Sequence, residues 1–144
     1  MPRFRFDFAI SYAGEDESVA ENLAVSLGNF GASVYFAPRF RSTLLGRRMS
    51  TEFGSVFGPL TRFFVPVISR HYARKDYPQY EWQIALGEGK EREREFIIPV
   101  RLDDTPLVGL PLDTGHIDLR ATTMDAAARQ LRSEERRVGK ECRL

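Results

Sequence analysis

Apolar and polar positions alternate from the start of the chain: Phe4, Phe6, Phe8 and Ile10 share one parity, with Arg5 and Asp7 between them. A period of two predicts a β-strand with those side chains on one face. The period then changes. Beyond the loop Ser11 to Asp16, Val19, Leu23, Leu27 and Phe30 recur at helical spacing beside Ala20 and Ala24, and Gly28 and Gly31 supply stop signals. Ala32 to Phe36, centred on Val34 and Tyr35, predicts a second, short strand. Strand, helix and strand in succession predict a right-handed crossover and a parallel sheet.

After Phe36 the pattern breaks. Pro38 to Arg48 carries Arg39, Arg41, Arg47 and Arg48 around Leu44-Leu45-Gly46, long for a connection and so a candidate functional loop. Met49, Phe53, Val56 and Phe57 give weak helical spacing that stops at Gly58-Pro59. Thr61 to Ser69 is mostly apolar and predicts a strand buried on both faces, with a bulge or break at Pro66. Pro78 suits the first turn of a helix running to about Leu86. The alternating charges of Lys90 to Glu95 predict a solvated helix end or connector. Phe96 to Leu102 predicts another buried strand, Asp103 to Gly115 a loop, and His116 to Leu119 a short last strand. Thr123 to Leu131 predicts a last helix, capped by Thr123 or Asp125. Strands alternating with helices predict a doubly wound α/β domain of about five strands.

From Ser133 to Leu144 the text is charged and without apolar period, and it resembles translated cloning or sequencing adapter. The expectation is a domain over residues 1–132 and a tail over 133–144 that is non-native or disordered, the natural chain continuing beyond residue 132.

Composition narrows the function classes. A length of 144 residues suits one domain with a single core. With 21 basic and 20 acidic residues the net charge is +1, which argues against nucleic acid or an anionic membrane as partner. The single cysteine, Cys142, allows no internal disulfide and fits a reducing, cytoplasmic setting. His71 and His116 make no metal-ligand spacing with it, so no metal site is expected. No apolar run reaches membrane-spanning length, and the strand pattern begins too early to leave room for a signal peptide.

The candidate chemistry lies in Asp76-Tyr77-Pro78-Gln79-Tyr80-Glu81-Trp82. Glu81 is close to a helix N-terminus, where the dipole favours the ionised form, and Tyr77 and Tyr80 add aromatic surface. In open parallel sheets ligands bind outside the carboxyl ends of the strands, where Ser11, Tyr12, Phe36, Ser69 and the start of the Glu81 helix are expected to converge.

The boxes together resemble the TIR (Toll/interleukin-receptor) domains over residues 4 to 131. Phe6-Asp7-Phe8-Ala9-Ile10-Ser11-Tyr12 is similar to the family's first box. Val34-Tyr35-Phe36 and the loop holding Leu44-Leu45-Gly46 resemble its second strand and BB loop. Val67-Ile68-Ser69-Arg70-His71-Tyr72 resembles the strand-end serine segment, and Tyr77-Pro78-Gln79-Tyr80-Glu81 the aromatic-x-x-x-Glu motif. The closing strands are similar to those of bacterial members. This chain departs from many members in having Tyr77 where bacterial enzymes often have Trp, and Ala13-Gly14 where many carry Arg.

The resemblance implies a flavodoxin-like fold and cleavage of the nicotinamide–ribose bond of NAD⁺, with Glu81 catalytic and Ser11, Tyr12, Tyr35, Leu45 and Tyr77 contacting substrate. It implies either ADP-ribose or a cyclic ADP-ribose isomer as product, NAD⁺ being substrate with no separate cofactor. It further implies a role in bacterial antiphage defence, self-association through the BB loop (Pro38 to Arg48) and a downstream effector protein. The alternative is a non-catalytic adaptor that binds other TIR domains. A receiver-like phosphoacceptor is disfavoured because the first strand ends in Ser11, without an acidic cluster, and Arg101 rather than a lysine follows the later strand. Rossmann-type dinucleotide binding is rejected, since the first loop offers only Gly14.

Overall fold

The computed structural model describes residues 4–36, 57–92, 96–111 and 113–141, with the side chains of Asp76, Tyr77 and residues 138–141 left aside. Strand β1 (Phe6–Ser11) leads through a single 3₁₀ turn (Gly14–Asp16) into helix α1 (Glu17–Asn29) and strand β2 (Val34–Tyr35). After β3 (Thr61–Ile68) come a second 3₁₀ turn (Tyr72–Arg74), α2 (Asp76–Glu91), β4 (Val100–Arg101), β5 (Ile117–Asp118) and α3 (Met124–Glu141). The five strands are parallel in the order β2-β1-β3-β4-β5, the flavodoxin-like arrangement that the sequence predicts. Helix α1 stops as the glycines suggest. Gly31 takes φ +84°, its N–H bonding Gly28 O at 2.9 Å while Ala32 N bonds Leu27 O at 3.1 Å, a Schellman termination. Thr123 is the α3 cap, its Oγ1 accepting from Ala126 N at 3.1 Å.

Apolar side chains form a cluster on each face. Phe8, Ile10, Val65 and Val67 pack against Leu23 and Leu27 of α1 and Ala127, Ala128 and Leu131 of α3. Phe64, Ile68, Tyr72 and Phe96 pack with Trp82 and Ala85 of α2 on the other side. Phe6 departs from the predicted face: it joins the second cluster, edge-on to Tyr35 at 5.3 Å. The pleat is irregular there, because Asp7 N and Phe8 N share Ser33 O at 2.8 and 3.1 Å and Arg5 N and Phe6 N share Leu60 O at 2.8 and 3.2 Å.

Pro66 does not break β3, which runs through it in register with Ser11. The interruption falls on the partner. Phe64 and Ile68 both bond toward β4, so Pro66 between them faces the same way with no N–H to give. The predicted strand Phe96 to Leu102 accordingly shrinks to an isolated bridge at Ile97 and the short β4, with Pro99 between them.

Residues 133–141 continue α3. Charge pairs one turn apart, Arg132 with Glu135 and Glu134 with Arg137, hold that stretch helical without an apolar period. The loop Pro38 to Arg48 lies outside the described residues, as does all but the last residue of the weak helical spacing Met49 to Phe57. No described helix is long and apolar enough to cross a membrane.

Candidate active site

The connections leaving β1 and β3 run to opposite sides of the sheet, so the carboxyl ends of these neighbouring strands form its switch point. β1 delivers Ser11 there, and β3 delivers Ser69 and, one 3₁₀ turn on, Tyr72. α2 then starts at Asp76 and carries Glu81 back over the strand ends in its second turn. Ser11 Oγ donates to Glu81 Oε1 at 2.6 Å and lies 2.7 Å from the Tyr72 hydroxyl. All three residues are buried, Glu81 keeping 8% of its surface. Its other carboxyl oxygen, Oε2, bonds nothing among the described residues.

A second set of hydrogen bonds fixes the turn. Ser69 Oγ donates to Asp16 Oδ2 at 2.5 Å and accepts from Tyr72 N at 3.2 Å. Gln79 Nε2 bonds Tyr72 O at 2.9 Å, tying the turn to α2, while Trp82 Nε1 bonds Val108 O at 2.7 Å and fixes the helix to the loop after β4. At the mouth, Glu15 pairs with Lys75 at 3.1 Å and with His71 at 3.3 Å.

Burial decides the electrostatics. Glu81 sits in the second turn of α2, past the part of the helix where the dipole acts strongly. Loss of water pushes its pKa up to about 8, and the Ser11 hydrogen bond only partly opposes this. The expected ionised carboxylate is therefore corrected: without a cationic partner, burial favours the protonated form at pH 7. Burial, followed by the neighbouring Glu81, holds the Tyr72 phenol well above its ordinary value.

A family model for the TIR domain matches residues 8–132. This chain belongs to the TIR family. Among characterised TIR proteins it is 27% identical, over 125 residues and 87% of its length, to the 3′ cyclic ADP-D-ribose synthase AaTIR of Aquimarina amphilecti. It spans 38% of that longer protein. Among solved TIR structures, the domain of the Toll-related receptor TRR-2 from Hydra magnipapillata superposes with a TM-score of 0.73 at 18% identity, covering 91% of this chain and 98% of that one. The TIR-STING receptor of C. gigas gives 0.70 at 21% identity, covering 91% of this chain and 40% of the receptor. These two share the fold.

Of the residues assigned to the TIR site, Ser11 and Glu81 come together directly. Tyr12, which follows Ser11 in sequence, stacks its ring on Phe36 at 5.3 Å, at the ends of β1 and β2. Tyr35 keeps 2% of its surface, and Phe6 and Phe57 pack edge-on against its ring at 5.3 and 5.6 Å, within the core. Leu45 and the side chain of Tyr77 lie outside the description, and Tyr80 is 42% exposed. Sequence reasoning missed Tyr72 as a site residue. Its signal was the short spacing from Ser69, which leaves room only for a tight turn back onto the strand ends.

Proposed function

We propose that this domain cleaves the N-glycosidic bond between nicotinamide and ribose in NAD⁺, with Glu81 as the catalytic carboxylate. The observation that carries the reading is a buried carboxyl held by Ser11 at the switch point, with Oε2 left for a ligand. Similarity to a cyclic ADP-ribose synthase supports the substrate class.

The chemistry follows from the bond. The C–N electron pair leaves with nicotinamide, which departs neutral from a cationic pyridinium and needs no proton. Positive charge builds on the ribosyl carbon and ring oxygen, as in glycoside cleavage. An ionised Glu81 accepting hydrogen bonds from the ribose hydroxyls stabilises that charge. Burial makes Glu81 resist ionisation, while arrival of a cationic ring favours the carboxylate, so binding expels the Glu81 proton. Water attacking the ribosyl carbon gives ADP-ribose and a proton. A hydroxyl or adenine nitrogen of the same molecule gives a cyclic isomer, and the relation to AaTIR favours a ribose hydroxyl.

Tyr12, Tyr77 and Leu45 are assigned to substrate contact on the family pattern, and no cofactor or metal belongs to this reading. Self-association through Pro38 to Arg48, an effector responding to the product, and antiphage action in the cytoplasm complete it. The test is chromatography with mass analysis of NAD⁺ incubated with purified protein. Nicotinamide together with ADP-ribose, or with a cyclic product lighter than ADP-ribose by one water, is expected, and intact NAD⁺ at high protein concentration points instead to an adaptor.

A further inference from the structure

With Glu81 ionised, hydrogen-bond polarity around it is forced by the groups present. An ionised carboxylate only accepts, so Ser11 must spend its one proton on Glu81 Oε1 at 2.6 Å. The remaining contact of Ser11 Oγ, 2.7 Å to the Tyr72 hydroxyl, is then favourable only if Tyr72 donates. Tyr72 has no other use for that proton: it is fully buried, and Ser11 is the partner of its hydroxyl among the described residues. Its backbone is also pinned on both sides, N to Ser69 Oγ at 3.2 Å and O to Gln79 Nε2 at 2.9 Å. The backbone carrying the phenol is thus tied to the turn after β3 and to α2, and burial restrains the ring.

We propose that Tyr72 is a positioning residue for Glu81, acting through Ser11: the chain Tyr72 O–H to Ser11 O–H to Glu81 Oε1 fits the ionised carboxylate and leaves Oε2 facing substrate. Ser11 is thus part of the carboxylate's support rather than only a substrate contact. Once Glu81 is protonated the directions of this chain are no longer fixed, so Tyr72 and Ser11 favour the anion over the acid. They work against burial, which pushes Glu81 up. The groups facing Glu81 among the described residues are Ser11 from β1 and Tyr72 from the 3₁₀ turn. No described Lys, Arg or His is bonded to it, and Asp16 in the same wall is turned to Ser69 at 2.5 Å. The inference rests on the reading of Glu81 as the catalytic carboxylate, and its test has a readout independent of turnover.

The experiment titrates the Glu81 carboxyl by carbon-13 NMR of glutamate-labelled protein without substrate, assigned by its absence in Glu81→Gln. Wild type is compared with Tyr72→Phe, which keeps the ring and loses only the hydroxyl, and with Ser11→Ala. Ser11→Ala is expected to raise the titration midpoint by on the order of one pH unit, as for loss of a hydrogen bond to a charge. Tyr72→Phe is expected to raise it by roughly half a unit, through loss of cooperative polarisation and of Ser11 orientation. The acidic limb of NAD⁺ cleavage moves by the same amounts, so Tyr72→Phe costs about threefold at pH 7 and recovers above the limb. A Tyr72→Phe midpoint equal to wild type overturns the proposal, as does an activity loss uniform across pH. A shifted midpoint in a protein that does not cleave NAD⁺ upholds the positioning pair and refutes the proposed reaction instead.

Discussion

Replacing Glu81 by glutamine keeps the shape of the side chain and an acceptor for Ser11 while removing a buried titratable group. The unfolded chain ionises this carboxyl near 4.5, whereas burial moves the folded value to about 8. Between those values the folded protein holds a proton that the unfolded chain has released. Stability contributed by Glu81 therefore falls as pH rises through this window and is lost by pH 8. Below about 4.5 both states are protonated and the residue contributes no pH dependence. The full interval corresponds to roughly 5 kcal/mol as an upper bound, and solvent reaching Oε2 reduces it, so a difference of about 2–4 kcal/mol is expected. Urea unfolding followed by circular dichroism, from about pH 5 to pH 9, measures it. Glu81→Gln should gain stability over wild type progressively with pH, because Tyr72, Asp16 and all other titrating groups are common to both proteins. Parallel stability curves would show that Glu81 ionises as freely folded as unfolded, and the burial argument would fail.

Other perturbations reach other parts of the account. With Glu81 protonated in the free enzyme, kcat/KM for NAD⁺ should rise with pH to a plateau above about 8 while kcat breaks at lower pH; a kcat/KM flat from about pH 6 to 9 contradicts this. Gly109 holds φ +91°, and a Cβ there would lie 2.8 Å from Leu86 Cδ1, so Gly109→Ala should cost about 1–3 kcal/mol, read as a lower urea midpoint; an unchanged midpoint contradicts it. If Leu44-Leu45-Gly46 forms a contact between copies, specific activity should climb with protein concentration and Leu45→Glu should flatten the climb. Constant specific activity on dilution, with Leu45→Glu like wild type, shows that each monomer carries a whole site.

The strand and helix order was legible because each element has its own period: two in Phe8 and Ile10, near 3.6 in Val19, Leu23 and Leu27. Glu81 was legible because Pro78 announces a helix start just after a buried strand. What sequence reasoning missed depends on neighbours. Pro66 left its own strand intact and interrupted the one beside it, since the missing N–H is felt by the acceptor. Charge on Glu81 was misjudged because helix position is local and visible, whereas burial by Ser11, Tyr72 and the strand ends is tertiary. Tyr35 and Tyr12 look alike in sequence, yet one is locked between Phe6 and Phe57 and the other stacks on Phe36 at the strand ends. Arg92 read as one of a run of solvated charges. It bonds the carbonyls of Gly58, Thr61 and Arg62 at 2.7 to 3.0 Å, an acceptor cluster that only the fold assembles.

The central claim is that the buried carboxylate beside Ser11 breaks the nicotinamide–ribose bond, and nicotinamide release from NAD⁺ tests it most directly. Purified wild type and Glu81→Gln are compared at equal concentration, with circular dichroism confirming the fold of both. Wild type is predicted to release nicotinamide, and Glu81→Gln to do so more slowly by on the order of 10²–10³. Release by folded Glu81→Gln at the wild-type rate would contradict the account.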